Sequence, residues 1–196
     1  MKLKMGTTIA LFGTSADPPT IGHEAILEEL SKIYAFTICY VSNNPNKKHK
    51  EDISIRSKLL KILIEDLNNP KILFNQIITS QWSVESIKKC KKIYEFKNLD
   101  FVIGSDLVQD IFHWKNFDKI IEEVSFFIIL REGYPVESNT LKMLETYNVK
   151  FKISSIKIPN ISSSKFRLNS NYSDLPTSLV DFVKKNNLYE STKLVE

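Results

Sequence analysis

The residues with the clearest chemical potential lie first in segment 9–23, which reads IALFGTSADPPTIGH. An apolar run ends at Gly13, a loop of small and turn-forming residues begins with Thr14 and Ser15, and Gly22 opens an apolar-periodic segment. A strand, a tight loop and a helix in this order direct backbone N–H groups at one point, where the helix N-terminus adds partial positive charge. Because glycine lets a ligand approach the backbone closely, the segment predicts a phosphate-binding loop.

Two side chains at the start of the predicted helix could act on a bound phosphate. Thr20 and His23 stand about one helical turn apart, so their side chains reach the same point. The alternative interpretation is an ordinary turn between strand and helix with a surface histidine, because short motifs carry a false-positive risk.

A second segment with phosphate-binding character is residues 161–167, which read ISSSKFR. Ser162 and Ser163 stand at a predicted helix start, where serine hydroxyls cap the helix and can also donate to phosphate. Arg167 falls one turn further along the same helix face. Plain capping is the alternative, although one serine would satisfy it.

A compact positive group follows the second predicted strand, where residues 47–50 read KKHK. Its place at the same end of the sheet as the phosphate loop favours a phosphate or substrate contact over a solvated loop. Arg56 follows on the next helix and is either a second contact or a surface charge.

Two tryptophans near predicted strand ends could stack on a flat aromatic ring. Trp82 precedes Ser83, which is typical of a helix N-cap, and Trp114 precedes Lys115. Either tryptophan by itself would be interpreted as packing.

The elements that must position these residues alternate between strands and helices. The predicted strands cover residues 8–12, 36–41, 72–78, 101–103, 126–130 and 149–153. The predicted helices cover residues 22–32, 53–67, 84–94, 117–123, 140–147, 163–168 and 177–186. This order predicts an α/β fold: a doubly wound, Rossmann-like, mostly parallel sheet flanked by helices, with short C-terminal helices. In such sheets the ligand lies beyond the carboxyl ends of the strands, so we expect one cleft.

Length and composition fit one domain over residues 1–196, with a helical C-terminal part at 160–190. The net charge of +4 suits a small polyanionic ligand, and no Arg-rich tract supports nucleic-acid binding. No apolar run approaches the ~20 residues of a membrane span, so we expect no membrane partner. Cys39 and Cys90 form neither a metal cluster nor a disulfide framework, which favours a reduced, cytoplasmic protein.

These segments resemble a known family. Residues 13–23 are similar to the [HT]-x-G-H signature of the nucleotidyltransferase superfamily, and residues 161–167 are similar to its ISSTxIR signature. The segments between them resemble, in order, the motifs of bacterial nicotinate-nucleotide adenylyltransferases, and they are residues 44–50, 81–86, 104–106, 114–115 and 131–134. The resemblance covers nearly the whole chain.

The resemblance implies that AMP passes from ATP to nicotinate mononucleotide, giving deamido-NAD and pyrophosphate, with Mg²⁺ carried by the ATP phosphates. It implies contacts of His23 and Thr20 around the α-phosphorus, and of Ser163 and Arg167 with the β- and γ-phosphates. The candidate catalytic residues are therefore His23, Thr20 and Arg167. The candidate ATP-binding residues are Gly13, Thr14, Ser15, Gly22, Gly104, Asp106, Ser162 and Ser163, of which Gly104 and Asp106 would hold the ribose. The candidate residues for nicotinate mononucleotide are Lys50, Arg56, Trp82, Ser83, Trp114 and Lys115.

The chain departs from the family at Thr20, where histidine is common and where a threonine hydroxyl can donate but carries no charge. Threonine is common there in phosphopantetheine adenylyltransferases, so that activity is one alternative, together with a nicotinamide mononucleotide adenylyltransferase and a catalytically silent nucleotide-binding module. Lys115 and the helix start at Ser83 favour a carboxylate-bearing ring. The oligomeric state stays open, a homo-oligomer included.

Overall fold

The protein is built on a six-stranded parallel sheet, in a computed structural model that describes residues 6–45, 47–156 and 158–190. The spatial order of the strands is β3-β2-β1-β4-β5-β6. Their bounds are β1 Thr8–Thr14, β2 Thr37–Val41, β3 Ile72–Phe74, β4 Asn98–Gly104, β5 Ser125–Ile129 and β6 Phe151–Ile153. Every residue of β2 is buried, as expected for an apolar strand covered on both faces. The predicted α/β, doubly wound, Rossmann-like fold is confirmed.

Seven α-helices lie in the described ranges. They are α1 Ile21–Ile33, α2 Ile53–Leu67, α3 Ser83–Ile93, α4 Phe117–Glu123, α5 Ser138–Thr146, α6 Ser163–Asn169 and α7 Thr177–Lys185. The predicted bounds of α2 and α4 are confirmed at both ends. Within the same ranges, no helix is long and apolar enough to cross a membrane.

The predicted third strand, residues 72–78, is wrong in its second half. The strand ends at Phe74, and a 3₁₀ turn occupies Gln76–Ile78. The Asn75 side chain accepts a hydrogen bond from Ile77 N at 3.0 Å, so it caps the turn and ends the pairing with β2.

The helices cover both faces of the sheet because side chains alternate along each strand. In β1, Ile9 and Leu11 join the core beneath α3, α4 and α5, whereas Ala10 and Phe12 join the core beneath α1, α2 and α7. The prediction of one domain over residues 1–196 stays a prediction, because residues 1–5, 46, 157 and 191–196 lie outside the described residues.

The strand order reverses beside β1. From β1 the chain proceeds outward to β2 and β3 on one side, and later to β4, β5 and β6 on the other. Such a reversal leaves a crevice at the carboxyl ends of the two central strands, where ligands bind in open α/β sheets.

Candidate active site

A cleft of about 1080 Å³ opens at the carboxyl ends of the parallel strands. Both segments with phosphate-binding character line it: His23 at the start of α1, and Arg167 in α6. The expectation that these distant segments converge on one cavity is confirmed. All but three of the candidate site residues line this cleft, namely Gly13, Thr14, Ser15, Gly22, His23, Trp82, Ser83, Gly104, Asp106, Trp114, Lys115, Ser162, Ser163 and Arg167.

The start of α1 packs directly against the segment that leads into α6. A Cβ atom on Gly22 would lie 3.1 Å from the carbonyl oxygen of Ile161, so glycine permits this close approach. Ser163 Oγ donates to the carbonyl oxygen of Pro18 at 2.8 Å, while the Ser162 side chain caps α6 by accepting from Lys165 N at 3.2 Å. Ser162 therefore has the plain capping role that was the alternative for these serines, and Ser163 joins the two segments.

Asp17 connects three parts of the site from a buried position, with an exposed fraction of 1%. Its carboxylate accepts hydrogen bonds from Lys50 N at 2.8 Å and from Glu51 N at 3.2 Å. The Arg167 guanidinium lies 3.6 Å from that carboxylate and donates to the Asp17 carbonyl oxygen at 2.5 Å. The sequence pattern predicts only a turn at Asp17, because its partners lie 33 and 150 residues away along the chain.

His23 is held at both ring nitrogens. Thr20 N donates to Nδ1 at 3.1 Å, and Nε2 lies 2.9 Å from Thr14 Oγ1. A backbone N–H can only donate, so Nδ1 is unprotonated and the proton of the neutral ring is on Nε2. Desolvation, with the positive charge of Arg131, lowers the pKa of His23 to about 4. His23 is therefore a neutral hydrogen-bond donor at pH 7.

The expectation that Thr20 contacts the triphosphate is corrected by its position. Thr20 is fully buried, and it does not line the cleft. Its hydroxyl lies 2.9 Å from His23 Nδ1 instead. Thr20 thus acts on the ring from behind, as the N-cap residue of α1, and fixes which nitrogen faces the cleft.

Arg56 is also corrected, from a substrate contact to a brace inside the protein. Its exposed fraction is 1%, and it does not line the cleft. Its guanidinium donates to the carbonyl oxygens of Ser15 at 2.8 Å, Ser42 at 3.1 Å and Glu51 at 3.1 Å. Arg56 therefore joins the loops that form the cleft wall.

Lys50 lies beside the main cleft, and its predicted substrate contact stays a prediction. Lys50 lines a smaller pocket of about 280 Å³ that adjoins the cleft at Arg167. Lys47, Lys48 and His49 line the main cleft in its place. The backbone bond from Lys50 N to the buried carboxylate described above explains this placement, since it fixes where the loop turns.

Asp106 lies in the turn after β4, as the predicted strand end implied. Its Oδ2 accepts from Arg131 Nη1 at 2.8 Å, whereas its buried Oδ1 has no partner among the described residues. A side chain at Gly104 would collide with this carboxylate, which explains the glycine. Arg131 lines the cleft and was not among the candidate site residues; only its place in a family-like segment marked it.

The two tryptophans line the cleft in different settings. Lys115 Nζ lies 5.0 Å from the centroid of the Trp82 ring, a cation–π arrangement. Trp114 packs edge-on against Phe101 at 5.9 Å, so it belongs to the core as well as to the cleft. The N-cap of α3 is Trp82, and Ser83 is the first helical residue, one position from its predicted place.

Comparison with known proteins decides the family. A model of the cytidylyltransferase-like family matches residues 11–169. The probable nicotinate-nucleotide adenylyltransferase of Sulfurimonas denitrificans is 32% identical over 164 residues, which are 81% of this chain and 87% of that protein. The chain belongs to the cytidylyltransferase-like family, among its nicotinate-nucleotide adenylyltransferases.

Other relatives of this adenylyltransferase agree. The probable nicotinate-nucleotide adenylyltransferase of Synechocystis sp. is 26% identical over 196 residues and covers 92% of this chain and 98% of its own. A solved structure, Plasmodium falciparum nicotinic acid mononucleotide adenylyltransferase complexed with NaAD, has a TM-score of 0.77 and 25% identity. That match covers 93% of this chain and 97% of the other. The predicted enzyme class, a nucleotidyltransferase, is confirmed.

Proposed function

We propose that this adenylyltransferase binds ATP and nicotinate mononucleotide together in the cleft and joins them into deamido-NAD. The phosphate oxygen of the mononucleotide forms a bond to the α-phosphorus of ATP, and the bond to the bridging oxygen breaks to release pyrophosphate. The observation that carries this proposal is the convergence of His23 and Arg167 on one cavity. The Plasmodium falciparum relative complexed with NaAD supports the choice of product.

The chemistry needs little proton transfer. The attacking phosphate is already ionised at neutral pH, so no general base is required. What remains for the protein is to align the two substrates and to neutralise negative charge as the bond to pyrophosphate breaks. A neutral His23 suits this task, because its Nε2–H is a fixed donor on the cleft side of the ring, 2.9 Å from Thr14 Oγ1.

The positive residues that line the cleft suit the leaving pyrophosphate. Arg167 is fixed by the Asp17 carbonyl oxygen and also donates from Nη2 to Ser164 Oγ at 3.1 Å. Lys47 and Lys48 line the same cleft, with exposed side chains. We assign the β- and γ-phosphates to this group.

The magnesium ion of the proposed reaction enters with ATP. Asp17 and Asp106 line the cleft, and both carboxylates are engaged by arginines. In the described part of the chain, no three acidic, histidine or cysteine side chains cluster to hold a metal. We therefore assign the Mg²⁺ ligands to phosphate oxygens and water, where the ion reduces repulsion between the phosphates.

The remaining contacts are assigned by their chemistry. The unpartnered Asp106 Oδ1 is a fitting acceptor for a ribose hydroxyl of ATP. Trp82 offers an aromatic face, and the adjacent Lys115 ammonium is a partner for the carboxylate of a nicotinate ring. This positive charge favours nicotinate mononucleotide over nicotinamide mononucleotide.

Release of pyrophosphate tests the proposal. We expect ATP and Mg²⁺ to give pyrophosphate faster with nicotinate mononucleotide than with nicotinamide mononucleotide or phosphopantetheine. A preference for phosphopantetheine would move the chain to another branch of the fold. ATP binding without pyrophosphate release on any acceptor would indicate a silent nucleotide-binding module. The cytoplasmic location and a homo-oligomeric state stay predictions.

A further inference from the structure

The hydroxyl of Thr14, at the end of β1, is the only side-chain group that meets the cleft-facing nitrogen of His23 within the described residues. The Thr14 oxygen also accepts a hydrogen bond from Ala16 N at 3.2 Å. Thr14 is 8% exposed, and the exposed part belongs to the cleft. Its position therefore differs from that of Thr20, which lies behind the ring.

The hydrogen bonds of this oxygen can be assigned one by one. Nδ1 of His23 accepts from a backbone N–H, so Nε2 carries the ring proton and donates it to Thr14 Oγ1. Ala16 N is a second donor to the same oxygen. A hydroxyl oxygen has two lone pairs, and these two bonds use both. The hydroxyl proton of Thr14 is left for an acceptor in the cleft.

Such a hydroxyl is a stronger donor than an isolated threonine. Hydrogen bonds accepted by an oxygen polarise its own O–H bond, and chains of this kind strengthen one another in a poorly solvated site. The series of hydrogen bonds here runs from Thr20 N through the imidazole to the Thr14 hydroxyl. It points the final proton toward the space that the proposed function gives to the triphosphate.

We propose that Thr14 is a further catalytic residue, whose hydroxyl donates to a triphosphate oxygen while it accepts the Nε2–H of His23. The proposal rests on the proposed function. It gives Thr14 the second-donor role that the resemblance assigned to Thr20. No bond is made or broken at Thr14, which acts only as an oriented hydrogen-bond donor.

Replacement of Thr14 by valine and by serine tests the proposal. Valine keeps the shape but removes the hydroxyl, whereas serine keeps the hydroxyl. We expect Thr14→Val to lower kcat by about 10- to 100-fold with the KM for ATP within about threefold, because the donor acts mainly in the transition state. We expect Thr14→Ser to retain kcat within about threefold. A merely structural role would not produce this difference between the two variants.

Thr37→Val is the matched control. Thr37 is fully buried in β2, its hydroxyl has no partner among the described residues, and it does not line the cleft. We expect wild-type kcat and KM for this variant. Thr14→Val with wild-type kcat, equal losses in the valine and serine variants, or a loss confined to the KM for ATP would each overturn the proposal.

A spectroscopic measurement on the wild type removes dependence on the folding of any variant. The chain has 3 histidines, so ¹⁵N-labelled protein can report the tautomer of His23, with assignment from His23→Gln. We expect protonation at Nε2, and protonation at Nδ1 would overturn the proposal. Wild-type protein without activity on nicotinate mononucleotide would instead refute the proposed function, so the two failures are distinguishable.

Discussion

The state of His23 makes the stability of the protein depend on pH in a way that His23→Gln should remove. In the folded protein the pKa of His23 is lowered to about 4, from an ordinary value of 6.5 in the unfolded chain. Between these two values the unfolded chain binds a proton that the folded protein does not. The free energy of unfolding must therefore fall as the pH falls from 6.5 toward 4.

The size of this effect follows from the two pKa values. Between pH 7.5 and pH 5.0, the displaced titration of His23 lowers the free energy of unfolding by about 2 kcal/mol. Above pH 6.5 the contribution of His23 to the free energy of unfolding is fully present. Other titrating groups also change stability across this range, but they are shared by the variant and cancel when the two proteins are compared.

Urea unfolding at pH 7.5 and pH 5.0, on the wild type and on His23→Gln, measures the difference. We expect the wild type to lose about 2 kcal/mol more than the variant on acidification. Parallel behaviour of the two proteins would mean that His23 titrates normally when folded. The lowered pKa of His23 in the folded protein would then be refuted.

Three further substitutions test other parts of the site. His23→Ala should lower kcat far more than it raises the KM for ATP, by about 3 kcal/mol of transition-state stabilisation, and wild-type kcat would remove His23 from the mechanism. Arg167→Ala should weaken ATP binding in titration calorimetry, whereas Lys165→Ala, on the exposed side of α6, should not. Equal ATP affinities of the two variants would contradict the assignment of Arg167 to the phosphates. Arg56→Met should lower the free energy of unfolding in urea by about 3 kcal/mol, because three carbonyl oxygens lose a buried donor. Lys58→Met, on the exposed side of α2, is its control.

The fold could be predicted from the sequence because its signals are local. Apolar residues at helical spacing fix α2, and a continuous apolar run fixes β2. The alternation of the two element types then places the strand ends, and the cleft, at one edge of the sheet. The predicted end of the third strand was wrong because the Asn75 side chain caps a 3₁₀ turn there, while the apolar residues of that turn continue the pattern of a strand.

The site could be predicted only where a residue's role depends on its neighbours in the chain. His23 and Arg167 follow from the segments that contain them, and both line the cleft. The role of Arg56 could not be predicted, because a positive residue on an amphipathic helix gives no sign that it will be buried against carbonyl oxygens from other loops. Thr20 and Asp17 fail for the same reason: the direction of each side chain is set by contacts that form only in the complete fold.

Asp17 has a consequence for how this protein can be studied. Its carboxylate accepts hydrogen bonds from the backbone of residues 50–51, and its carbonyl oxygen accepts one from Arg167 in α6. The part of the cleft around Arg167 therefore forms only when α6 is docked. A nucleotide that binds there binds the native state alone, so it raises the melting temperature, and the gain in free energy grows with the logarithm of its concentration once the site is filled. Thermal shift with ATP therefore reports whether α6 is docked against Asp17, and a protein that lacks α6 should show no shift.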